Sequence, residues 1–288
     1  MSRSILIPTD GNEATKPAIE HGLRIAANRD ATVHALYVVD IPPVGGERAE
    51  ESLEPLVSKL EAEGKEATGN IAVQAHDKGL DVKKTVKRGI PFQAILDYTD
   101  AHDIECIAMG TGERDNPKSY FLGSTARKIT RLSRVPVLTV RASKDQVSVD
   151  YRSILLPVDG TQGSQRAIET CTRLASDFDA IVHILYVIDS RIARAGSLVD
   201  LMEMQGEQAC YDAASRMKIV GVDSTDELLH GRPAEQILSY ADNHDIGCIV
   251  IGTHGRTGID RFVMGSVAEK VVRRAPMPVL TVRDLGRE

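Results

Sequence analysis

The stretch RSILLPVDGTQGSQRAIETCTRLASDFDAIVHILYVID, residues 152–189, decides the fold class. It opens on a short apolar run, SILLPV, followed by Asp159-Gly160. Ala167, Cys171, Leu174 and Ala175 then recur at the spacing of one helical face. The stretch closes on AIVHILYVI, a longer apolar and β-branched run of the kind that sits inside a parallel sheet. Strand, helix and strand at these lengths predict a parallel sheet covered on both faces.

Much of the chain says this twice. RSILIPTDG at 3–11 returns as RSILLPVDG at 152–160, and VHALYVVD at 33–40 returns as VHILYVID at 182–189. Farther on, KRGIPFQAIL (87–96) answers LHGRPAEQIL (229–238), AHDIECIAMGTG (101–112) answers NHDIGCIVIGTH (243–254), and VPVLTVR (135–141) answers MPVLTVR (277–283). The early pairs stand 149 positions apart and the later pairs 142, so the second copy lacks seven residues between Val187 and Gly231. Two domains in tandem are therefore expected, at 1–145 and 150–288, joined near ASKDQVSVDY (142–151). Each should carry five parallel strands in a doubly wound α/β fold with helices on both faces. Long helical segments are expected at about 47–65 and 197–218, and shorter helices open at Pro91 and Pro233, where a missing N–H does no harm. Met202, Met204 and Met217 read as core positions of the second long segment.

Composition narrows the class. The hydrophobic fraction of 42% over 288 residues is enough for two full cores. A net charge of −6 supplies no basic footprint for nucleic acid and weakly opposes an anionic membrane. The opening MSRSILIPTDG has an apolar run too short for a signal peptide or membrane span, so a cytoplasmic location is expected. Cys106, Cys171, Cys210 and Cys248 form no close pair and no zinc spacing, and read as buried free thiols.

Parallel sheets of this kind bind ligands beyond the carboxyl ends of their strands, where strand order reverses. That directs attention to Asp159, Val187, Gly231 and the loop GTHGRTGIDRFVMGS, residues 252–266. Glycines that feed a helix start let backbone approach a phosphate, and the first-turn N–H groups point at it. Ser266 would add a hydroxyl at the cap. The loop is neither a Walker sequence nor the dinucleotide fingerprint, since no Gly-Lys-Ser/Thr occurs and no Gly-x-Gly-x-x-Gly follows the first strand. By themselves such glycines serve equally well as turn formers.

PVDG after the first strand, LYVID after the second, HGRPAEQI after the third and GTHGRTGIDRFVMGS together resemble the universal stress protein family, over both halves of the chain. Gly252, Gly255, Gly265 and Ser266 keep the spacing of its ATP-binding members: glycine, two residues, glycine, nine residues, glycine-serine. The resemblance implies an adenine-nucleotide α-hydrolase-like fold and a nucleotide site at Pro157, Val158, Asp159, Val187, Gly252, Thr253, His254, Gly255, Arg256, Gly265, Ser266 and Val267. Asp159 would accept hydrogen bonds from the ribose, unless it only shapes the following turn. Val187 would offer its backbone to the adenine edge, Gly252 would lie beside the ribose, and Gly255, Gly265, Ser266 and the Val267 amide would hold phosphates. Arg256 either reaches the phosphate tail or stays in solvent. His254 is read as a loop side chain near the nucleotide rather than a catalytic group or metal ligand. The ligand implied is ATP, with AMP or ADP as variants, and Mg²⁺ would come with the nucleotide rather than on protein ligands.

The first copy keeps Asp10, Val38, Gly110, Gly123 and Ser124 but puts Glu113 at the second glycine. A Cβ restricts the backbone there, and a carboxylate about 4 Å from a phosphate repels it by roughly 4 kcal/mol at a near-surface dielectric. Pro117 removes one N–H and Lys118 partly offsets the charge. This copy is expected to bind ATP weakly or not at all. The terminal strands VPVLTV and MPVLTV are candidates for self-association, since sheet edges pair readily; the resemblance implies that two domains meet there, with a dimer of chains as a further step.

The functional expectation is an ATP-binding regulatory protein of a stress response, with an unidentified protein partner. A weak ATPase or phosphoryl-transfer enzyme using His254 and Arg256 is one alternative, and a nucleotide-free interaction scaffold another. No nucleophile and base pair accompanies the phosphate loop.

Overall fold

The structure, a computed structural model, describes residues 3–41, 47–112, 122–142, 150–161, 164–191, 196–253 and 264–285. The chain divides into two units, Met1–Ala142 and Ser143–Glu288.

In the first unit the order is β1 (Ser4–Thr9), α1 (Lys16–Arg29), β2 (Thr32–Val39), α2 (Glu47–His76), β3 (Val82–Arg88), α3 (Pro91–Ala101), β4 (Cys106–Gly110), α4 (Ser124–Leu132) and β5 (Val137–Val140). The strands lie side by side as β3-β2-β1-β4-β5, all parallel, with Ile5 opposite both Val33 and Cys106. β1 is buried at every position and β4 at all but its last, as strands covered on both faces must be. Helices α1 and α2 touch each other and the sheet, as do α3 and α4, so one pair covers each face.

The second unit repeats the plan with β6 (Ser153–Val158), α5 (Ser164–Phe178), β7 (Ile181–Asp189), α6 (Gly196–Ile219), β8 (Ser224–Gly231), α7 (Pro233–Asn243), β9 (Cys248–Gly252), α8 (Ser266–Arg274) and β10 (Val279–Val282). Its parallel order is β8-β7-β6-β9-β10. Ala167, Cys171, Leu174 and Ala175 are all buried on α5 and fix that helix on the sheet. The four cysteines are free and buried, and burial raises the thiol pKa of Cys106 to about 11 and of Cys210 to about 12.

Two expectations need correction. The first long helix does not stop near 65 but runs on to His76. The helix runs through Gly64 and Gly69; a Cβ on Gly64 would stand 2.6 Å from Tyr37 Cδ1, so this glycine lets the helix lie against β2. Of the three methionines, Met217 and Met202 are buried but Met204 is 66% exposed, because two residues carry the chain more than half way round a helix.

In both units the strand order reverses between the first and fourth strands of the unit, β1 beside β4 and β6 beside β9. The chain leaves those strands at Asp10 and Gly110, and at Asp159 and Gly252. Among the described residues no helix is long and apolar enough to cross a membrane.

Candidate functional site

Each reversal point opens into a cavity at the carboxyl ends of the strands. In the second unit it measures about 320 Å³ and in the first about 310 Å³.

The wall of the second cavity begins where β6 ends. Asp159 is followed by Gly160 at φ +75, a left-handed turn that glycine adopts without strain. The Asp159 carboxylate turns back and accepts hydrogen bonds from the Thr161 backbone N–H at 3.0 Å and from the Thr161 hydroxyl at 2.7 Å, both on Oδ1. Asp159 is thus a turn former and a cavity residue at once; a carboxylate has about four acceptor positions, so the two uses are compatible. In the first unit Asp10 likewise shapes its turn, accepting the Asn12 backbone N–H on Oδ1 at 3.0 Å and the Asn12 side-chain amide on Oδ2 at 2.9 Å.

β9 and α8 supply the opposite wall. Gly265 occupies the cap position, with φ −58 and ψ 142, and makes no side-chain cap bond. Its N–H is held by the Thr253 carbonyl at 2.7 Å, which ties the helix start to the end of β9. Ser266 is therefore the first helical residue rather than the cap, exposed at the mouth of the cavity. The first turn of α8, through Val267 and Ala268, faces the cavity and presents the positive end of the helix. In the first unit Gly123 repeats the arrangement, donating to the Thr111 carbonyl at 3.0 Å.

Pro157, Val158, Asp159, Val187, Gly252, Thr253, Gly265, Ser266 and Val267 all line this one cavity. His254, Gly255 and Arg256 lie outside the described residues, as does Glu113 in the first unit. Asp10, Val38, Gly110, Gly123 and Ser124 line the first cavity.

Sequence reasoning missed part of the second cavity's lining. Asp189 and Arg191 form an ion pair on its wall, beside Met202, Pro233 and Ile237. Asp189 is buried and takes both the Arg191 side chain, with Nε to Oδ1 at 2.8 Å, and the Arg191 backbone N–H at 3.0 Å. The hydrogen bonds from Arg191 hold the Asp189 carboxyl below the usual carboxylate range, against the opposing effect of its burial. The signal was present in VIDSR, an acid and an arginine just past Val187. The first copy has Asp40 at the equivalent place but Pro42 where Arg191 stands in the sequence, and among the described residues its cavity lining contains no lysine, arginine or histidine. Among the described residues no cluster of three His, Cys, Asp or Glu could hold a metal ion.

The sequence pattern of the universal stress protein family matches residues 1–141 and again 150–283. Universal stress protein MJ0531 of Methanocaldococcus jannaschii is 34% identical over 145 residues, which cover 48% of this chain and 85% of the relative. Universal stress protein Mb2028c of Mycobacterium bovis is 22% identical and aligns over 97% of both chains. Among solved structures, a universal stress protein from Archaeoglobus fulgidus superposes with a TM-score of 0.75 at 20% identity, covering 98% of this chain and 99% of its own. This last likeness concerns the tandem fold.

Proposed function

Since the chain belongs to the universal stress protein family, we propose that it is an adenine-nucleotide-binding regulatory protein that holds ATP, with Mg²⁺, in the cavity of its second unit. The reading rests on one observation: nine residues drawn from between Pro157 and Val267 converge on a single cavity at the strand-order reversal.

The base would lie toward Val187, whose position near the end of β7 leaves it half-buried on the wall. Asp159, on the cavity wall, would take the ribose hydroxyls. The phosphates would meet the positive end of α8, where Gly265 lets the backbone come close and Ser266 adds a hydroxyl. His254, Gly255 and Arg256 complete the proposed phosphate end. ATP is sensed here rather than rapidly turned over, and the protein would change its partners with nucleotide state in a stress response, in the cytoplasm. In the first unit Asp10, Asp40 and Glu113 oppose a polyphosphate, so that unit binds ATP weakly or not at all.

Calorimetric titration of nucleotide-stripped protein with Mg-ATP, beside Gly265→Glu, tests the reading. The φ of −58 at Gly265 is open to any residue, so this variant should fold. Its carboxylate would stand near the phosphates, and about 4 kcal/mol of repulsion at 4 Å reduces affinity by roughly three orders of magnitude. One site per chain, lost in the variant, is the expected result. Equal binding by both proteins would remove the phosphate site from the end of α8. No heat and no thermal shift would leave a nucleotide-free scaffold.

A further inference from the structure

The outer strands of the two units carry a feature that the nucleotide site does not use. Among the described residues β3 is hydrogen-bonded along its length only to β2, and β8 only to β7, so each ends its sheet with one side of its backbone unpaired. Such an edge is a template for adding another strand. The two edges are oppositely charged. β3 reads VKKTVKR, with four cations and no acid, whereas β8 reads STDELLHG, with two acids and no lysine or arginine.

The aspartates that precede both strands, Asp81 and Asp223, align the copies and set Lys84 against Asp226 as equivalents of opposite sign. At the far end of each strand the charge is taken up locally. Arg88 pairs with Glu61 at 2.6 Å and Glu54 at 3.6 Å, and His230 meets Glu203 at 3.3 Å. Lys83, Lys84, Asp226 and Glu227 are exposed and make no ion pair among the described residues.

We propose that the basic edge strand β3 of one chain docks against the acidic edge strand β8 of a second copy of this chain. Charged edges commonly serve to prevent pairing, but for that purpose both edges would best carry one sign. Here β3 repels β3 and β8 repels β8, while the β3–β8 combination alone brings opposite charges together. The contact joins two different surfaces, so it builds head-to-tail assemblies, closed rings or open chains, rather than a two-fold dimer. Electrostatic matching sets the partner and register, and outward backbone groups supply the hydrogen bonds.

Sedimentation of the full chain over a wide range of protein concentration, at low and high salt, tests this. The mass should rise with concentration at low salt and fall back at high salt. Lys83→Glu with Lys84→Glu, and separately Asp226→Lys with Glu227→Lys, should each move the concentration of half-association up by at least about tenfold. All four positions are exposed, and unchanged melting would establish that each variant is folded. An equimolar mixture of the two variants restores complementary edges and should associate again, as should a single chain carrying all four reversals. A single-chain mass for the parent at every concentration would overturn the proposal. So would association that the reversals leave unchanged, or a mixture that stays apart.

Discussion

Acidification from pH 7 to pH 5 should loosen the first unit well before the second. His21 on α1 is 4% exposed and His34 on β2 is 1% exposed. Burial lowers both from 6.5 to about 4, and for His34 the charges of Lys83 and His102 push the same way. His34 Nδ1 shares a hydrogen bond of 2.9 Å with the Tyr98 hydroxyl, while its buried Nε2 has no hydrogen-bond partner among the described residues to receive an added proton. Both groups have depressed folded pKa values, so between about 4 and 6.5 the unfolded chain binds more protons. Stability is whole above 6.5 and is lost as pH falls toward 4. Linkage over the interval from pH 7 to 5 gives about 2 kcal/mol for each histidine, about 4 kcal/mol together, a large part of a domain's usual 5–15. The second unit has Thr170 in place of His21, and leaves one such group, half-buried His183, lowered by burial and by the His244 charge with Glu227 opposing. Hydrogen exchange read by mass spectrometry, expressed as protection factors, separates the units. Peptides from β1, β2 and β4 should lose about three orders of magnitude of protection between pH 7 and 5. Those from β6, β7 and β9 should lose less, and His21→Asn should halve the first unit's loss. Equal losses in the two units would refute the reasoning.

Further outcomes follow from local geometry. In α6 a Cβ on Gly206 would stand 2.6 Å from both Tyr186 Cδ1 and Leu228 Cδ1. The buried Tyr186 ring cannot give way, so Gly206→Ala should cost about 1 kcal/mol net, overpacking outweighing the helix gain. Gly69 on α2 has nothing within 4 Å of its Cβ position, and Gly69→Ala should raise stability by about 1 kcal/mol. Thermal melts of the pair should move in opposite directions. All four thiols should resist alkylation in the native protein at mild alkaline pH and react once denatured; one fast native thiol would contradict the burial. Arg191→Ala leaves the Asp189 carboxylate unopposed by its partner on the cavity wall, and should weaken Mg-ATP binding severalfold. Adding Asp189→Asn should recover part of the loss; an unaffected titration would place the ion pair outside the ligand's reach.

The sequence carried the fold through its own repetition. Two offsets located both copies, and prolines 91 and 233 marked the starts of α3 and α7 to the residue. What it concealed has a common physical cause: one residue type serving a different purpose from its usual one. Gly64, poor in helix propensity, sits inside α2 because it makes room for Tyr37, and the helix runs past it to His76. Ser266 reads as a cap, but Gly265 takes that position because the chain must also donate to Thr253 there. Asp189 and Arg191 read as an ordinary strand end, and only the packing of α6 and α7 around them makes that end a cavity wall.

The cavities add an argument that the glycine count alone does not supply. Glu113 suggests that the first unit has lost its site, yet the cavity there is within about 10 Å³ of the second. Space therefore does not separate the two units. Chemistry does. Among the described residues the first wall carries Asp10 and Asp40 without a cation, Thr9 where the second has Val158, and Leu60 in the region where the second has Met202. A polyphosphate entering the first cavity would meet the carboxylates of Asp10 and Asp40, with no cation among the described lining residues to oppose them. Selectivity between the two halves is thus expected to follow the ligand's charge rather than its size, which makes phosphate number the variable that should separate them.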